Sequence, residues 1–162
     1  MKRVWLILLA TLGCIAAAQA QRVVIGERVP ELKADTWLGG VRPSSAPLTY
    51  FEFFYSPGKG ALESVGHLEE LSNKLGSKLH VIVLTREPEA TVTRLLGEKV
   101  SPLLVVALGA ERDFGNFGVS YIPFGVLVDA RNRALWMGNT RTLTVETLSL
   151  IHISEPTRRS YI

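Results

Sequence analysis

Three apolar runs set the expected framework. Thr49–Tyr55 is almost wholly apolar or aromatic, with Glu52 the exception, and Leu79–Leu84 and Phe124–Val128 repeat the pattern. Such runs predict central strands covered on both faces. Between the first two, Leu62, Val65, Leu68 and Leu71 recur at helical spacing. They predict a helix over Ala61–Leu75, stopped by Gly76 and Ser77, with Lys74 in its last turn where a cation suits the helix dipole. Thr85 as cap, Glu87 and Glu89 early, and Val92, Leu95 and Leu96 on one face predict a second helix ending at Gly97. Pro102–Leu108 reads as a further short strand and Glu111–Phe117 as one or two helical turns. Ala134–Met137 reads as the hairpin partner of Phe124–Val128 across the Asp129–Asn132 turn. Thr142–Leu148 starts a terminal helix with Thr142 as its cap.

Upstream, Val23–Ile25 reads as a short edge strand. Leu38-Gly39-Gly40-Val41 reads as a hairpin turn, and Pro43–Pro47 as the loop before the first central strand. There is no internal repeat and no interdomain linker. The order predicts one α/β domain over residues 22–147, a central mixed β-sheet flanked by helices.

Composition narrows the picture. The 162 residues are 47% hydrophobic, enough for one domain with a sizeable core and too apolar for a disordered chain. The net charge of +3 comes from scattered Lys and Arg with no aromatic-interleaved basic cluster, so no nucleic-acid partner is expected. Met1-Lys2-Arg3, the apolar run Val4–Ala18 and the small residues of Ala18-Gln19-Ala20 form an export signal over residues 1–20, with cleavage after Ala20. This places the mature chain in the periplasm of a bacterium or outside the cell. The apolar run is short for a membrane span. Membrane contact would arise only through an uncleaved signal or lipidation at Cys14, whose surroundings lack the usual Leu of a lipoprotein signal. Cys14 is the only cysteine, so a chain starting at Gln21 has no thiol and no disulfide.

The other end carries a different signature. Leu148–Arg158 resembles the translated transposase adapter of sequencing-library preparation, and residues 148–162 are therefore expected to be a non-native or disordered tail.

Candidate chemistry centres on Tyr55-Ser56-Pro57-Gly58-Lys59-Gly60-Ala61. The carboxyl end of a buried strand leads here into a helix N-terminus, the usual place for chemistry in open α/β sheets. Lys59 is its one charge; with free N–H groups it could attract an anion, although Gly58-Lys59-Gly60 lacks the spacing and ending of a phosphate loop. Ser56 has no neighbouring base to activate it. His67 with Glu63 or Glu70 is ordinary helix patterning rather than a ligand set, so no metal or other cofactor is expected. His80 reads as a structural residue within a strand, and Asp129 as the cap of its hairpin turn. Trp37, Tyr50, Tyr121 and Trp136 supply packing or an exposed aromatic binding surface.

The same stretch resembles exported thioredoxin-like proteins of the TlpA/ResA type. Gly26-Glu27-Arg28-Val29-Pro30 is similar to their entry segment, and the turn at Gly39 and Gly40 to their extra N-terminal β-hairpin. Phe53–Leu71 aligns without a gap on Phe-Trp-Ala-x-Trp-Cys-x-x-Cys and its helix. Gly118-Val119, Pro123 and Leu127-Val128-Asp129 match the later strand approach. The resemblance implies a thioredoxin-like fold and, in the family, thiol–disulfide exchange between two cysteines. Here Gly58 and Ala61 stand at both cysteine positions, so Gly58, Lys59, Gly60 and Ala61 form a degenerate redox site with no catalytic residue. Pro123 would follow a cis bond and place backbone beside that site. The resemblance thus implies a peptide-docking edge formed by Tyr55, Pro57, Tyr121, Ile122 and Pro123. The expected function is a redox-inactive protein- or peptide-binding module acting on a periplasmic or envelope partner. The alternatives are a redoxin-family member that merely lacks its dithiol, and a structural domain of a larger envelope protein.

Overall fold

The structure is a computed structural model and describes residues 23–154. The expected export signal, Cys14 and the chain from Glu155 onward lie outside the described residues. Six strands form one mixed sheet: β1 (Thr36–Trp37), β2 (Leu48–Phe54), β3 (Leu79–Thr85), β4 (Leu104–Leu108), β5 (Phe124–Asp129) and β6 (Ala134–Gly138). Four helices accompany them: α1 (Ala61–Leu75), α2 (Glu89–Leu96), α3 (Glu111–Asn116) and α4 (Val145–Ser154). The sheet order is β1-β4-β3-β2-β5-β6. β2, β3 and β4 are parallel, and β5, β6 and β1 run against their neighbours.

The apolar runs become the inner strands because both of their faces are covered. On one face, Tyr50 and Phe54 of β2 pack with Val65, Leu68 and Leu71 of α1, Val92 and Leu96 of α2, and Leu148 of α4. On the other, Phe51 and Phe53 pack with Val29 of the lead-in, Phe114 of α3 and Phe117. All seven β3 residues are buried, as a central parallel strand requires. β2 thus ends at the middle of the sheet, where its turn meets both layers.

The chain departs from the sequence reading in four places. Val23–Ile25 forms no strand; pairing with β6 falls to Gly26 and Glu27, whose backbone bonds Ala134, and to the Arg28–Arg133 bridge. No hairpin forms at Gly39 and Gly40. Thr36–Trp37 pairs instead with Leu108 and Ala107 of β4, and Leu38 turns into the core. Thr85 does not cap α2: its hydroxyl accepts from the Glu87 N–H, and the helix begins after Pro88. α4 is held at its start by Thr144, not Thr142, through the Thr147 N–H.

The last helix, α4, runs on past Thr147 to Ser154, across the start of the expected tail. Leu148 is 2% exposed and Ile151 packs on the same cluster. The two lie three residues apart, the spacing that places side chains on one helix face.

Candidate functional site

β2 ends in Phe54, and the next six residues turn into α1. The Gly58 N–H bonds the Tyr55 carbonyl at 2.8 Å and the Ala61 N–H bonds that of Gly58 at 3.0 Å. Gly60 precedes the helix at φ 82°, a left-handed conformation that a side chain disfavours. The turn carries no thiol: Gly58 and Ala61 occupy its start and the first helical position, and Ala61 is 1% exposed. Lys59 points to solvent.

Two contacts hold the turn from outside. Glu87, from the loop after β3, accepts the Ser56 N–H at 2.8 Å and the Ser56 hydroxyl at 2.5 Å. Opposite, Ile122 closes on Gly58, where a Cβ would stand 2.8 Å from Ile122 Cγ2. The Ile122–Pro123 peptide bond is cis, and Pro123 is buried against the start of β5. The backbone of Ser120, Tyr121 and Ile122 makes no hydrogen bond among the described residues.

The rim is aromatic and exposed. Tyr55 is 43% exposed, Tyr121 49% and Leu62 of α1 44%, large fractions for residues of this kind. Tyr121 stands edge-on to Phe124 at 5.3 Å, which props its ring beside the Ile122 backbone. The structure therefore brings Tyr55, Pro57, Gly58, Tyr121, Ile122 and Pro123 to one place.

Behind the turn lies a buried polar chain. Glu52 is fully buried in β2. Its Oε1 is 2.6 Å from Ser64 Oγ of α1, its Oε2 contacts Thr140 Oγ1, and Thr140 lies 3.0 Å from the Tyr50 hydroxyl. Ser64 Oγ also reaches the Ala61 carbonyl oxygen at 2.8 Å. Ser64 and Thr140 both donate to the carboxyl of Glu52, and Ser64 shares its single proton with the Ala61 carbonyl. Burial pushes Glu52 up to about 8, against the downward pull of the Ser64 and Thr140 hydroxyls. Burial, then the charge of Glu52, raises the Tyr50 phenol well above its usual value. Burial thus favours the neutral acid of Glu52, which ties β2 to α1 and to the turn at Thr140.

The remaining polar residues have structural partners. His67 Nε2 donates to the Leu143 carbonyl at 2.6 Å, away from Glu63 and Glu70 as ligands. His80 Nδ1 bonds Ser44. Asp129 accepts from the Arg131 and Arg133 N–H groups and pairs with the Arg133 guanidinium at 2.7 Å. Burial raises its pKa, but the Arg133 and Arg131 bonds outweigh that and hold it below the ordinary value. Among the described residues no group of three or more His, Cys, Asp or Glu could hold a metal ion. Two shallow grooves of about 450 Å³ each lie elsewhere, one along Glu27–Glu31 and one beneath the Pro43–Ala46 loop.

Sequence reasoning missed Glu87, Thr140 and the role of Glu52. The lone acid in an apolar strand was the one available signal. Glu87 and Thr140 reach the turn only through the folded topology.

A parallel β2-β3-β4 unit joined to an antiparallel β5-β6 hairpin, flanked by helices, matches known structures along most of the chain. The fold is thioredoxin-like. A thiol-disulfide isomerase from Corynebacterium glutamicum superposes with a TM-score of 0.65 at 14% identity, covering 78% of this chain and 94% of that one. The thioredoxin domain of a thiol-disulfide oxidoreductase from Bacteroides vulgatus gives 0.62 at 13% identity, covering 81% and 96%. The exposed lipoprotein thioredoxin of Streptococcus pneumoniae gives 0.51 at 15% identity, covering 67% and 84%. No protein-family model and no curated protein matches the sequence. These likenesses fix the thioredoxin-like fold of the chain.

Proposed function

We propose that this chain is a redox-inactive, exported thioredoxin-like module that binds an extended peptide segment of a periplasmic or envelope protein. The observation that carries the reading is the unpaired backbone of Tyr121 and Ile122 beside a thiol-free turn, rimmed by exposed Tyr55 and Tyr121. Free N–H and C=O groups can accept a partner strand, and adjacent aromatic rings bury its side chains. Thiol–disulfide exchange needs an attacking thiolate. The one cysteine, Cys14, falls in the expected export signal, outside the domain. Export rests on the basic and apolar N-terminus. Among the described residues no helix is long and apolar enough to cross a membrane.

Phage-displayed random peptides test this directly. Clones selected on the mature chain should lose binding to the Tyr121→Ala and Pro123→Ala variants. Clones that bind all three alike would overturn the docking reading. In parallel, the mature chain should not accelerate insulin reduction by dithiothreitol, and acceleration would overturn the redox-inactive reading.

A further inference from the structure

The charges around the turn are unevenly committed. Two carboxylates at the turn are engaged within the chain: Glu87 takes both Ser56 donors, and Glu63 pairs with Arg141 at 3.5 Å. Arg141 also lies over Gly60, within 3.4 Å of where a Cβ would stand. The cations Lys59 and Arg86 have no carboxylate partner among the described residues. Lys59 is exposed at the tip of the turn, one residue from the Gly58–Ile122 contact. Arg86 precedes Glu87 and lies over the Phe114 ring at 4.4 Å, on the layer that also holds Phe124 and thereby Tyr121. The two uncommitted cations thus stand one at the tip of the turn and one just after β3, whose Thr85 pairs with Phe54, the residue before Tyr55.

From this we infer that the docked segment is an extended acidic peptide, with an Asp or Glu close to the apolar side chains that cover Tyr55 and Tyr121. The inference rests on the docking reading above and adds the charge of the partner. A basic segment would meet Lys59 and Arg86 with like charge, which selects against wrong partners more strongly than matched charge adds affinity. Lys59 engages the acidic group as a flexible point charge, and Arg86 does so with one face still on Phe114. Both cations are near the surface, so the preference weakens as salt screens it.

Two phage libraries with the same random core test the inference, one flanked by aspartates and the other by lysines. At low ionic strength the Asp-flanked library should yield about tenfold more binding clones on the wild-type chain. Lys59→Glu should abolish or reverse that ratio, Arg86→Gln should reduce it, and added salt should shrink it. Lys59 is an exposed turn residue, so its variant keeps the fold, checked by an unchanged thermal midpoint. Equal yields whose clones still depend on Tyr121 would overturn the acidic-partner inference and leave the docking reading standing. Failure of both libraries to yield any Tyr121-dependent clone would overturn both.

Discussion

Ile122 Cγ2 occupies the space in which a side chain on Gly58 would begin. A Cβ there would stand 2.8 Å from it and 2.9 Å from the Tyr55 carbonyl oxygen. The turn and the cis-proline segment therefore fit each other without a side chain between them. Gly58→Ala should lower stability by ~1–3 kcal/mol, the usual cost of overpacking. The loss should shrink when Ile122 is also Ala, because the methyl that blocks the space is gone. Urea denaturation of the four chains in a double-mutant cycle measures the coupling. Additive losses would show that the two residues do not meet as described.

Glu52 gives a pH signature of opposite sign to that of an ordinary paired carboxylate. Its folded value is raised from 4.5 to about 8. Through that window the unfolded chain releases the proton and the folded chain keeps it. Stability from this group is full at the acid end, falls as pH rises, and levels off above about pH 8. Glu52→Gln cannot ionise, so denaturant midpoints of the variant relative to wild type should climb steadily across the window. A flat difference would mean that Glu52 is ionised in the fold. Asp129 acts the other way: its lowered pKa contributes stability that is lost only as pH falls into the acid range.

The Ser56–Glu87 pair predicts a local rather than a global effect. Glu87→Ala removes both acceptors of Ser56, and a half-exposed bond of this kind contributes about 1 kcal/mol. Amide exchange at Ser56–Gly60 should quicken while exchange in β3 stays unchanged. Uniform acceleration would indicate that Glu87 supports the whole fold.

The elements were legible because they follow periodicity. Thr49–Tyr55 and Leu79–Leu84 read as buried strands from apolar content alone, and α1 has the limits Ala61–Leu75 that its stripe and Gly76 predict. The hairpin at Gly39 and Gly40 failed because a glycine pair signals a turn without naming the strand that follows. Here Leu38 found the core, and Pro43 and Pro47 bound the loop that replaces the second strand. Within the site, Gly58, Ala61 and Pro123 could be placed by their motif. Glu87 and Thr140 could not, because their contacts span 31 and 88 residues of sequence.

The C-terminus offers a separate test. Leu148 is buried and Ile151 packs beside it. A chain stopped after Thr147 should lose ~2–3 kcal/mol, the value of one buried leucine and part of an isoleucine. Unchanged thermal unfolding would show that residues 148–154 add nothing to the domain and support the expected boundary at Thr147.

The most direct measurement of the central claim is an amide NMR shift map of the mature chain titrated with a selected peptide. Changes should cluster at Tyr55–Ala61 and Ser120–Phe124. The Tyr121 and Ile122 amides should become protected from exchange, with the Pro123→Ala chain giving no such map. Changes centred on the groove beneath Pro43–Ala46, or a map that survives Pro123→Ala, would contradict it.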